Sequence, residues 1–157
     1  MNNRPVPELQ TDPEFDELIQ PREEKYLEEL EENIFDHGCL EPVCVWNGII
    51  LDGRLRYKIC TKWDIHFNIR RIMFESRDKA VSFICHEQLK RTDLTGEYKK
   101  YLIGRLFRAD MNTASDEFMK KHPDTELNAD GQVSQKYVRK TDIATIIAVS
   151  YTHLRAH

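Results

Sequence analysis

No stretch of this 157-residue chain is apolar over anything near the ~20 residues that a helix needs to cross a bilayer, so no membrane span is expected. The opening "MNNRPVPELQ" has no apolar core and does not read as a secretory signal. Both absences point to a cytoplasmic protein. The four cysteines (Cys39, Cys44, Cys60 and Cys85) form no C-x-x-C pair and stand at no His spacing that would hold zinc. They read as buried or half-buried thiols in a reducing compartment. A charge excess is missing too: 23 Lys plus Arg stand against 27 Asp plus Glu, for a net charge of −4. That balance gives no whole-molecule attraction to nucleic acid or membrane, so any anion site has to be local. There is no internal repeat.

What is present is an ordered series of short periodic segments. Residues 1–22 carry four of the six prolines and little periodicity, and are expected as an extended lead-in. Over 23–37, "EEKYLEELEENIFDH" sets Tyr26, Leu27, Leu30, Ile34 and Phe35 on one helical stripe, with Gly38 placed to end the helix. Asn47-Gly48, between "EPVCVW" and "IILDG", is a hairpin signal because both residues tolerate positive φ. "RLRYKICTKW" then reads as a short helix, and the alternation in "HFNIRRIMF" predicts a third strand near 67–75. "SRDKAVSFICHEQLKR" predicts a helix opened by Ser76, with Val81, Ile84, Cys85 and Leu89 as its apolar stripe. Another helix is expected to start near Thr95. Residues 109–132 read as a polar linker with at most a short helix inside it, and residues 133–157 turn basic and helical again. This order predicts a small α+β domain over 23–108, a hairpin plus a further strand covered by helices.

The chemistry concentrates at "IILDGRLRYKIC", residues 49–60. A helix starting at Arg54 points its free N–H groups and positive dipole end at the mouth of the loop before it. Gly53 permits close approach there, so the helix start can hold an anion. Arg54 and Arg56 add forked donors suited to phosphate, at the helix end where cations are locally unfavourable. An ordinary helix start containing two surface arginines is the competing reading, since Arg is a good helix former. A second cluster, Gln88, Lys90 and Arg91 in "EQLKRTDL", either complements a helix C-terminus or forms the other wall of the same pocket.

Three stretches, "HGCLEPVCVW", "IILDGRLRYKIC" and "EQLKRTDL", lie in the order and at the separations of the ParB-like N-terminal domain family, the fold shared by partition proteins and sulfiredoxin. The first resembles the family's G-x-x-x-P lead into a strand. The second is similar to its arginine box G-E-R-R-x-R-A, and closer to the D-G-H-N-R-Y-x-I-C form of mobile-element or phage-type members. The third resembles its E-N-x-Q-R-x-D-L box. The likeness implies a ParB/sulfiredoxin fold and binding of a nucleoside triphosphate, CTP with Mg2+, by both boxes. Carried over residue by residue, Gly53 matches the box glycine, Arg56 its second arginine and Arg91 the third-box arginine. Gln88 stands where Asn is usual, Lys90 where Gln is usual, and Leu55 where the first arginine is usual. Arg54 occupies the acidic position, which leaves weak CTP hydrolysis at most. It also stands where sulfiredoxin has its nucleophilic Cys, which excludes that reaction.

The last stretch, "KTDIATIIAVSYTHLRAH", resembles the opening of a helix-turn-helix. Ile143, Ala144 and Ile147 pack its first helix, and Ser150, Tyr151 and Thr152 begin the DNA-facing helix. "SYTHLRAH" also resembles a tail found on unrelated reading frames, so an incomplete unit with an artefactual end is expected over 133–157. The expected function is a DNA-associated regulator or partition-type protein, with DNA and a nucleoside triphosphate as partners and a homodimer as its assembly. Two alternatives stay open: an enzyme on the same fold (nuclease or phosphotransferase), and a nucleotide-independent scaffold dimerising through 94–109. For the enzyme, Asp52 and Glu87 are the carboxylates on offer, at no recognised metal-ligand spacing.

Overall fold

A computed structural model of the chain describes residues 8–121. The elements are α1 (Pro13–Glu17), α2 (Glu24–His37), β1 (Val43–Trp46), β2 (Ile49–Asp52), α3 (Arg54–Trp63), β3 (Ile69–Arg71), α4 (Arg77–Leu89) and α5 (Gly96–Lys121). This is the expected α+β class, built on a three-stranded sheet in the order β2-β1-β3. Strands β1 and β2 pair antiparallel, whereas β3 pairs parallel with β1 after crossing over through α3.

The hairpin turns where the Asn-Gly pair predicts. Asn47 and Gly48 have φ of 50° and 80°, the two successive positive values that the favoured two-residue turn demands. Beyond the turn the register slips between Cys44 and Val45, a bulge that sets Asp52 opposite Cys44 and aims the end of β2 towards α3. The outer edge of β2 is covered by Gln10, whose N–H donates to Gly48 O and whose carbonyl accepts from Ile50 N, both at 2.9 Å.

Alternation along the strands divides the core. Val43, Val45 and Ile50 face Ile34 of α2 and Ile59 and Cys60 of α3, with Cys39 and Phe67 closing the cluster. On the opposite face Trp46 meets Phe15 of α1 at 6.3 Å between ring centroids and Phe74 at 6.4 Å; Phe74 meets Phe83 of α4 at 5.5 Å. All four cysteines are buried, and none is in a disulfide. Burial, with Cys39 alongside, pushes the Cys60 thiol up to about 12, and burial also raises Cys44.

Three expectations need correction. The lead-in over 1–22 is not simply extended. Asp12 accepts from the N–H groups of Glu14 and Phe15, Pro13 opens α1, and Phe15 and Leu18 are fully buried. The expected linker over 109–132 is helical as far as Lys121, because α5 continues through it. The third strand is three residues long rather than filling 67–75, since only Ile69–Arg71 finds β1 as a partner. By contrast α3 spans the segment expected, and Ser76 and Thr95 cap their helices, Ser76 Oγ accepting from Lys79 N and Thr95 Oγ1 from Tyr98 N, both at 3.2 Å. Contacts divide the chain into one unit ending at Ala109 and a second beginning at Asp110. The residues expected to form a helix-turn-helix, 133–157, lie outside the described ones, as do Ser150, Tyr151 and Thr152.

Candidate anion-binding site

Gly53 joins β2 to α3 in the left-handed region, at φ 88° and ψ 22°, and no side chain caps the helix there. Its carbonyl accepts from Tyr57 N at 2.9 Å, so α3 is helical from its first turn, and the early N–H groups have no partner within the helix. A Cβ at this position would lie 2.9 Å from Arg56 Nη2 and 3.2 Å from Val43 Cα. Both the backbone angle and the close packing of Arg56 over the turn therefore require glycine.

In front of this helix start lies a cavity of about 370 Å³. Gly53, Arg54, Arg56, Gln88 and Arg91 all line it, so the structure brings together five of the six residues singled out in the two sequence clusters. Lys90 does not line it; its Nζ donates to Glu87 at 2.6 Å. Five further lining residues come from the segment read as a lead-in: Asp16, Ile19, Gln20, Pro21 and Arg22. The signal that could have revealed them is "TDPEFDEL", with Asp before Pro, acids in the first turn, and Phe15 and Leu18 three apart.

Each arginine is held by protein acceptors. Arg56 donates through Nη1 to Glu41 at 3.1 Å, and through Nη2 to Pro42 O at 3.2 Å and Asp52 at 3.0 Å; its Nε is buried without a partner. Arg91, the least exposed of the four, grips Asp93 through Nε and Nη2 at 3.0 and 2.8 Å. Its Nη1 donates to Gln20 O at 2.9 Å and to Gln88 Oε1 at 2.8 Å. Gln88 is buried, so this bond also satisfies its amide oxygen. Arg22 joins the same carboxylate, Nη1 to Asp93 Oδ2 at 2.6 Å, and lies 4.3 Å from the Tyr26 ring centroid. The Arg91 hydrogen bonds, reinforced by both arginine charges, hold the Asp93 carboxyl well below the ordinary aspartate range. Arg54 Nη1 pairs with Asp16 Oδ1.

The pocket has two chemical ends. Tyr26, Leu27 and Leu30 of α2, with Ile19 and Pro21, form an apolar wall, and the helix start with its arginines forms the other. Such a site suits a ligand with an anionic group and an apolar or planar part. Among the described residues no three His, Cys, Asp or Glu side chains stand together as a metal site. Nor is any of their helices long and apolar enough to cross a membrane.

No family model matches the chain, and no curated protein does. Solved structures do. One of a pNOB8-like ParB N-domain superposes with a TM-score of 0.56 at 23% identity, over 82% of this chain and 53% of that one. Another, also of a pNOB8-like ParB N-domain, gives 0.56 at 20% identity over 82% and 50%. The chain thus spans about half the length of the structures it matches, and at this identity the likeness concerns the fold. The three-stranded sheet and its covering helices have the fold of a ParB N-domain.

Proposed function

We propose that the cavity binds the phosphate groups of a nucleoside triphosphate, CTP with Mg2+ by the resemblance of its boxes, and that the chain is the N-terminal part of a DNA-associated, ParB-like partition-type or regulatory protein. The observation that carries this reading is the uncapped start of α3, opening through a left-handed Gly53 onto a cavity lined by Arg22, Arg54, Arg56 and Arg91. These arginines come from three separate segments, and converging guanidinium groups beside free helix amides suit a polyphosphate. The fold of a ParB N-domain agrees with the reading. Association with DNA rests on the resemblance of residues 133–157 alone.

Arg56 serves the site mainly by holding its frame, since its donors reach Glu41, Pro42 and Asp52. Hydrolysis is not part of the proposal. A base for attacking water needs a free carboxylate near the phosphates, and both lining carboxylates, Asp16 and Asp52, face arginines. Mg2+ takes oxygen ligands and is carried by substrate phosphates in sites of this kind, so the protein need not supply a cage.

Titration calorimetry with ATP, CTP, GTP and UTP, each with and without Mg2+, tests the proposal. At least one nucleotide is expected to bind, and Arg54→Ala is expected to weaken it about ten-fold, the loss of one charge-assisted hydrogen bond. Failure of all four to bind at millimolar concentration would refute it.

A further inference from the structure

The pocket arginines are already matched by the protein's own carboxylates. Asp16 faces Arg54, Asp52 and Glu41 face Arg56, and Asp93 faces both Arg91 and Arg22. Four guanidinium groups thus stand against four carboxylates, and the site as folded has no surplus positive charge from its side chains. A ligand anion that engages one of these guanidinium groups has to displace its carboxylate.

The four are not equally displaceable. Asp93 accepts three guanidinium bonds, two from Arg91 and one from Arg22, and displacing it would break all three. Asp52 ends β2 and pairs with Arg56 one helical turn on, where Arg56 packs over Gly53. Glu41 is largely exposed and does not line the cavity. Asp16 lines the cavity, pairs with Arg54, and keeps about a third of its side chain exposed. Its backbone is fixed by the buried neighbours Phe15 and Leu18, so the side chain can turn away while α1 stays in place.

The geometry points to Asp16 as the residue that sets which anions the pocket accepts: it occupies Arg54 and is exchanged for a phosphate group on binding. This inference rests on the phosphate-binding reading of the pocket. An anion with a single charge exchanges one carboxylate–guanidinium pair for another and gains little. A ligand with two or more charges replaces Asp16 on Arg54 and still has charge left for the free amides of α3 and for Arg22. Asp16 therefore selects for condensed phosphates over single-charge anions.

The test is calorimetry of inorganic pyrophosphate, tripolyphosphate and acetate, without Mg2+, on the full chain and on Asp16→Asn and Asp16→Glu. In the wild-type protein pyrophosphate and tripolyphosphate are expected to bind and acetate not. Asp16→Asn, which keeps the shape and removes the charge, is expected to bind pyrophosphate about ten-fold more tightly and to admit acetate, while Asp16→Glu behaves as wild type. Should Asp16→Asn fail to fold, carbon-13 spectra of the wild-type Asp16 carboxyl serve instead, with a shift expected on pyrophosphate saturation. Pyrophosphate affinity in Asp16→Asn equal to or weaker than wild type, or an unmoved Asp16 resonance at saturation, overturns the inference while leaving the phosphate site standing. No binding by any of the three proteins overturns the site and the inference together.

Discussion

Two glycines separate backbone need from packing need. Gly48 and Gly53 both have positive φ, 80° and 88°. Nothing lies within 4 Å of a Cβ placed on Gly48, whereas one on Gly53 meets the Arg56 guanidinium and the Val43 backbone. Gly48→Ala should cost about 1 kcal/mol, the left-handed penalty alone. Gly53→Ala should cost about 2–3 kcal/mol, because the Arg56 clamp has to shift as well. Urea denaturation of the two variants measures the difference; equal losses would mean that Arg56 is not packed over the turn. The sequence showed a glycine at a tight turn before a helix and arginines gathered there. It could not show that Arg56 spends its donors on Glu41, Pro42 and Asp52, since those partners lie 15, 14 and 4 positions away and only the fold brings the first two within reach.

Among the elements, legibility followed how local the cause was. The hairpin and α3 were readable because Asn47-Gly48 and Gly53 act on their own dihedral angles. The length of β3 was not, because an edge strand ends where its partner ends, and nothing within "HFNIRRIMF" says that only three residues meet β1. Helix α1 is the instructive miss. At five residues it is too short to show a periodic stripe, and it persists through tertiary packing. Phe15 is wholly buried and touches Trp46, while Arg77 lies 4.5 Å from its ring centroid. Around it Glu14 bonds Arg77 and Arg105, each at 2.6 Å. Phe15→Ala should therefore cost about 3–5 kcal/mol, and it should also remove Asp16, Gln20 and Arg22 from the pocket. The expected readout is early proteolysis near residues 13–22 together with loss of pyrophosphate binding. Stability lost with binding retained would show that this segment is not part of the site.

At the scale of the whole molecule the question is where positive charge is left over for DNA. The formal net charge is −4, so non-specific attraction to a duplex depends on local clusters rather than on the chain as a whole. The arginines of the pocket cannot supply one, because each already faces a carboxylate. Arg70 and Arg71 are exposed on β3, an edge strand of the sheet, with Arg70 also beside the Cys44 thiol. If the protein touches DNA phosphates through this strand, these two side chains are the ones to do so. Each phosphate neutralised contributes about 0.9 to the slope of log K against log salt, so Arg70→Ala with Arg71→Ala should make that slope about two units shallower. Pyrophosphate binding should be unchanged in the same double variant, since neither residue lines the cavity. Fluorescence anisotropy with a labelled duplex, between low and physiological salt, measures the slope. An unaltered slope would place the phosphate contacts elsewhere on the chain, and a simultaneous loss of pyrophosphate binding would mean that the sheet edge and the pocket are not independent sites.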